Sequence, residues 1–203
     1  MRFLLDGMLG KSARWLRILG YETLYIKDSS DQELLSLAKR ESLTLLTSDE
    51  ELYRTAAMRN IETSLVQGHT EAERLAELAE RYNLRLEIDT TISKCPMCGA
   101  SIREVPKENV EKLVLPTTFK LYQSFWVCTN AKCAKVYWHG SHWKKIEQTL
   151  ESARKILDAK RNGSAGTERA EPRRRPNASS TRAPSHNHVP RDRPDNQTPP
   201  RRA

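Results

Sequence analysis

The sequence predicts an α/β protein: a parallel sheet covered by helices on both faces, followed by a small cysteine module and a polar tail. Three observations carry that reading. Apolar, strand-like runs alternate with amphipathic helix signals over the first ~90 residues, the βα rhythm of a parallel sheet. From Lys94 the chain changes to short apolar runs, two close cysteine pairs, and seven of its 13 Phe, Tyr and Trp between Phe119 and Trp143. Beyond Asn162 large apolar residues almost vanish, while seven prolines and nine arginines accumulate. The predicted segments are an α/β domain over 1–92, a cysteine module over 93–145, a helix over 146–161 and a tail over 162–203.

The elements follow in order. The first strand is Arg2-Phe3-Leu4-Leu5, closed by Asp6 and a Gly-containing turn. A helix from about Met8 to Leu19 stops at Gly20, a residue that ends helices without steric cost. The second strand, Thr23-Leu24-Tyr25-Ile26, leads to Asp28 and Asp31, and Ser30-x-x-Glu33 fits a capping box opening a helix over 31–40. The third strand, Leu43–Thr47, runs into Asp49, with Ser48-x-x-Glu51 as a second capping box for a helix over 49–59. A fourth strand over 61–66 precedes Thr70-x-x-Glu73 and a helix over 70–83. The closing helix is expected from about Lys144 to Arg161. In the tail, burial cannot offset chain entropy, so disorder is expected.

At 203 residues the chain has room for one α/β core and something smaller. No apolar run approaches ~20 residues, so neither a membrane span nor a secretory leader is expected, and the expected address is cytoplasmic. The net charge of +8 is unevenly spread. Residues 1–93 carry −4 and residues 94–145 carry +6, so the cysteine module is the expected phosphate-facing surface. Its candidates are Lys132, Lys135, Lys144 and Lys145.

Cys95-x2-Cys98, a 29-residue gap and Cys128-x4-Cys133 form a metal pattern: two short cysteine turns supply four thiolates to one tetrahedral structural zinc. The alternative is a pair of disulfides, disfavoured in a reducing compartment. With four sulfurs bound, zinc keeps no open position for chemistry. His139 and His142 would have to displace a cysteine to become ligands, so packing or an RNA contact suits them better. Trp126, Trp138 and Trp143 could stack bases, but a small module also needs them to build a core.

An acid stands just past each of the first three strands: Asp6, then Asp28 and Asp31, then Asp49. Strand ends of a parallel sheet converge on one rim, and carboxylates gathered there repel unless a hard cation such as Mg²⁺ or Mn²⁺ neutralises them. Asp31, Glu33, Asp49 and Glu51 also lie in helix first turns, where acids stabilise the dipole by roughly 0.3–1 kcal/mol with no function. Capping alone leaves Asp6 unexplained, and we read the set as a metal site. Gly10-Lys11-Ser12 lacks the first glycine of a phosphate-binding loop, a place held by Leu5, so no nucleotide cofactor is expected.

These motifs resemble the Mut-seven C-terminal RNase domain family, a PIN-like nuclease domain fused to a zinc ribbon. The resemblance runs from Phe3 to Trp143 and rests on Phe3-Leu4-Leu5-Asp6-Gly7-Met8-Leu9-Gly10, Ala13-Arg14-Trp15-Leu16-Arg17-x-Leu19-Gly20-Tyr21, Asp31-x-Glu33-Leu34-Leu35, Leu46-Thr47-x-Asp49-x-x-Leu52, the cysteine pairs and Tyr137-Trp138-x-Gly140-Ser141-His142-Trp143. It implies a three-layer α/β/α PIN-like fold and a metal-dependent ribonuclease. The PIN-like acids fall on Asp6, Asp31 and Asp49, with Glu33 or Glu51 as supplements. Where PIN nucleases often carry a further acid, this chain has Gln67-Gly68-His69, so one metal or two stays open.

The expected activity is hydrolysis of RNA at the aspartates, with Mg²⁺ or Mn²⁺ activating water and structural zinc in the ribbon. Arg14, Arg17 and the ribbon lysines would hold the RNA backbone. The alternative is a non-catalytic RNA- or ribosome-binding module on the same fold. The sequence specifies no protein partner.

Overall fold

Residues 1–165 are described in the computed structural model, with side chains through residue 162. Strands β1 (Arg2–Leu5), β2 (Glu22–Tyr25), β3 (Thr44–Thr47) and β4 (Thr63–Leu65) form a four-stranded sheet in the order β2-β1-β3-β4, parallel at every pairing. Strands buried on both faces need apolar side chains at nearly every position. Phe3, Leu4, Leu5, Leu45 and Leu46 meet that demand, each 0% exposed.

Two helix layers cover the sheet. On one face, α2 (Asp31–Glu41) and α3 (Glu50–Met58) bring Leu34, Leu35, Ala38, Leu52 and Ala56 onto Leu4 and Leu45. On the other, α1 (Gly10–Ile18) and α4 (Glu71–Tyr82) pack Ala13, Leu16, Leu75 and Leu78 against Phe3, Leu5 and Leu46. Alternate residues of β1 therefore serve opposite cores, as the period of a strand requires.

Local chemistry adjusts the expected boundaries. The first helix is entered through a 3₁₀ turn over Gly7–Leu9. Ser30 with Glu33 and Thr70 with Glu73 form reciprocated capping boxes. Ser48 with Glu51 does not: Asp49 is the cap of α3, and the Ser48 hydroxyl donates to the Val66 carbonyl at 3.1 Å. Gly20 takes φ +91°, and its N–H reaches the Arg17 carbonyl to end α1.

The cysteine module is a three-stranded antiparallel sheet, β5 (Ile102–Val105), β6 (Phe125–Cys128) and β7 (Val136–Tyr137). A 3₁₀ turn (Lys107–Val110) and α5 (Pro116–Leu121) lie in the β5–β6 connection. The last helix, α6 (Ser141–Ala165), starts three residues before Lys144 and continues past Arg161. Its Ile146, Leu150, Ala153 and Leu157 fall at helical spacing on one side, and the last three join the α1/α4 core. The chain thus returns to the first domain after building the cysteine module. Of the tail expected over 162–203, the first four residues belong to α6, and the rest lies outside the described residues. Among the described residues no helix is long and apolar enough to cross a membrane.

Candidate functional site

Asp6 sits where β1 ends, at the middle of the strand-end rim, because β1 lies between β2 and β3. It is 5% exposed, and one carboxylate oxygen caps the 3₁₀ turn by accepting the Met8 N–H at 2.8 Å. The other accepts the Thr47 hydroxyl. Thr47, fully buried at the end of β3, also accepts the Asp49 N–H at 2.9 Å. One hydroxyl therefore links Asp6 to the backbone of Asp49. The Asp49 carboxylate caps α3 through Oδ1, which accepts the N–H groups of Glu51 and Leu52 at 2.7 and 3.0 Å.

Asp31 is exposed at the first position of α2, after β2. Glu33 is committed to its cap: Oε2 accepts the Ser30 N–H and the Ser29 and Ser30 hydroxyls, each at 2.9 Å. Those bonds, the Ser30 backbone first, hold its carboxyl below the usual range. Glu51 is exposed in the first turn of α3. Among the described residues, only the four cysteines bring three or more ligating side chains within 4.8 Å; the aspartates are not drawn so close.

Cys95 and Cys98 flank a turn closed by Gly99 N–H on the Cys95 carbonyl at 2.8 Å, and Gly99 at φ +79° supplies the left-handed backbone. Cys128 ends β6, and Cys133 lies in the turn to β7. The sulfurs of Cys95 and Cys133 are 3.7 Å apart and those of Cys98 and Cys128 3.4 Å. A disulfide needs about 2.05 Å, whereas a tetrahedron with bonds of about 2.3 Å has edges of about 3.8 Å, so the geometry suits four ligands around one metal ion. Burial pushes the Cys128 thiol up to about 12. Burial also raises Cys95, but the Tyr137 hydroxyl and the Cys98 and Met97 amides outweigh it and bring that thiol down to about 7. His139 lies outside the cluster, stacked between Trp126 (4.8 Å) and Trp143 (3.9 Å), so it packs.

The basic residues divide. Arg17, expected to hold RNA, is 6% exposed. Its Nε donates to the Thr23 carbonyl, and one terminal nitrogen donates to the carbonyls of Pro96 and Met97, all at 3.1 Å. It straps α1 and β2 to the first cysteine turn, and burial lowers its pKa. Lys132 and Lys135 are exposed between β6 and β7, and Lys144 and Lys145 are exposed near the start of α6. Cations at a helix N-terminus oppose the dipole, so the last two gain nothing from their place in the helix. Arg14 is exposed and lines a cleft together with Lys11, Arg74, His69 and Met97. Sequence reasoning passed over Lys11, whose three-residue spacing from Arg14 puts both on one helix face.

The fold defines an α/β protein with a four-stranded parallel sheet and a small cysteine module whose four thiols cluster as a possible metal site. The Mut7-C RNAse domain family matches over residues 1–150, and the chain belongs to that family. No curated protein and no solved structure matches it.

Proposed function

We propose that the protein is a PIN-like, metal-dependent endoribonuclease in which Asp6, Asp31 and Asp49 hold Mg²⁺ or Mn²⁺. The observation that supports this best is the buried Asp6 carboxylate at the rim centre, oriented by a hydroxyl that also receives the Asp49 N–H. Oxygen donors of this kind suit a hard divalent cation. When bound, the cation would supply an activated water and stabilise charge at phosphorus. The chain's own part is positional: Thr47 fixes Asp6, Asp49 keeps Oδ2 clear of the cap bonds formed by Oδ1, and Asp31 stands exposed at the start of α2. Hydrolysis would leave a 5′-phosphate and a 3′-hydroxyl.

The four cysteines would hold structural zinc, making the module a zinc ribbon, and a reducing, cytoplasmic setting is where four thiolates serve a metal. Lys132, Lys135, Lys144 and Lys145 would hold RNA phosphates. The rival reading, a non-catalytic RNA- or ribosome-binding module, draws on the fact that Asp6 and Asp49 both cap backbone N–H groups, work that needs no catalysis. Labelled RNA incubated with the full chain, with and without Mn²⁺ and beside Asp6→Asn, separates the two. Cleavage that requires Mn²⁺ and disappears in the variant supports the nuclease; RNA binding with no cleavage above the variant supports the rival.

A further inference from the structure

A cleft of about 770 Å³ opens beside the turn that carries Asp6, with Gly7 and Met8 on its lining. Lys11 and Arg14 come from α1, Arg74 from α4, and Met97 from the first cysteine turn. Its single acid is already neutralised: Glu71 accepts Arg74 at 3.1 Å and the Ser12 hydroxyl at 3.0 Å. Lys11 and Arg14 are both exposed and have no hydrogen bond or ion pair among the described residues. Three residues apart on one helix, they repel each other, and Lys11 stands in the first turn of α1, at the positive end of its dipole. Among the described residues no acid pairs with either to offset that cost. An anion in the cleft would.

The rest of the wall is not suited to a small inorganic anion alone. Gly10 lets the Tyr25 ring lie against the start of α1, since a Cβ there would meet the Tyr25 hydroxyl at 2.8 Å, and that hydroxyl donates to the Gly7 carbonyl at 3.2 Å. Met8 and Met97 are 69% and 50% exposed. Unpaired cations beside an aromatic ring and exposed thioethers combine phosphate contacts with surfaces that bases can lie on, the combination by which proteins hold single strands. We propose that this cleft binds the backbone of single-stranded RNA next to the cutting rim, with Lys11 and Arg14 as its phosphate contacts. The inference rests on the nuclease reading, because it treats the Asp6 turn as the place of cleavage.

The test uses the full chain and a labelled single-stranded 12-nucleotide RNA. Binding is measured by anisotropy over a salt series without added Mg²⁺ or Mn²⁺, and cleavage is measured separately with Mn²⁺. Lys11→Gln/Arg14→Gln should bind at least about tenfold more weakly, and its salt slope should flatten by about 1.4, two contacts at ~0.7 each on a single strand. Circular dichroism checks that the fold is retained, as the exposure of both residues leads one to expect, and Lys11→Arg/Arg14→Lys should restore binding. A duplex of the same sequence should bind more weakly than the single strand. Equal binding by wild type and the Gln variant, or stronger binding of the duplex, overturns the cleft proposal even where Mn²⁺-dependent cleavage is seen. Binding that depends on Lys11 and Arg14 without any cleavage sustains the cleft and overturns the nuclease reading. No binding of either RNA overturns the cleft proposal, and the absence of Mn²⁺-dependent cleavage beside it overturns the nuclease reading as well.

Discussion

Thr47 concentrates more of the candidate site than any other single side chain, since its hydroxyl donates to Asp6 and accepts from Asp49 N–H while fully buried. Thr47→Val keeps the shape but leaves a buried carboxylate oxygen and an N–H without partners, so a loss of roughly 1–3 kcal/mol in urea unfolding is expected. Thr47→Ser should recover most of it. If Asp6 orientation matters to the chemistry, cleavage should fall in the valine variant and return in the serine variant even at temperatures where both are folded. Equal cleavage by all three proteins would reduce Thr47 to a packing residue. At this scale the sequence was legible for positions and silent on bonds. Asp6 stands out because it ends an apolar strand outside any capping box, but nothing in the sequence announces that its carboxylate caps the 3₁₀ turn through the Met8 N–H. Arg17 reads as an exposed cation because nothing in Arg14-Trp15-Leu16-Arg17 announces that Pro96 and Met97 will lie within its reach.

Among the elements, the cysteine module depends most on chemistry outside the chain. Its sheet has three short strands, and four sulfurs within 4.8 Å cannot all be thiolates without a cation among them. Zinc uptake should therefore release protons and weaken as pH falls, because Cys128, pushed up to about 12 without metal, must give up its proton to become a ligand. Titration of the protein with Zn²⁺ in weakly buffered solution measures both effects; uptake without proton release would argue that the thiols are not the ligands. Chelation should also alter tryptophan fluorescence, since Trp126, Trp138 and Trp143 lie in or beside this sheet. The four βα units were readable in advance because burial on both faces forces apolar strands, and capping boxes mark two of the helix starts. The destination of α6 was not. Its stripe of Ile146, Leu150, Ala153 and Leu157 says that the helix buries one face, but not against which neighbour.

For the whole molecule, that neighbour matters more than the segment boundaries. Leu150, Ala153 and Leu157 share a core with Leu75 and Leu78, so residues 1–92 do not complete their own packing. Leu150→Ala should cost about 2–5 kcal/mol of global stability, with one cooperative loss of the parallel sheet rather than local fraying at the C-terminus. Calorimetry of the full chain would show it, and an unchanged midpoint would mean that α6 is dispensable. The same arrangement gives synthesis a timetable. About 75 residues separate the end of α4 at Tyr82 from Leu157, roughly 4–15 s at ~5–20 residues per second. During that interval the α4 face has been made and its cover has not, so a nascent chain carries an open leucine surface while it collects the four cysteines. A ribosome that stalls before residue 150 would leave the strand-end rim assembled on an unfinished core, open to proteases and chaperones.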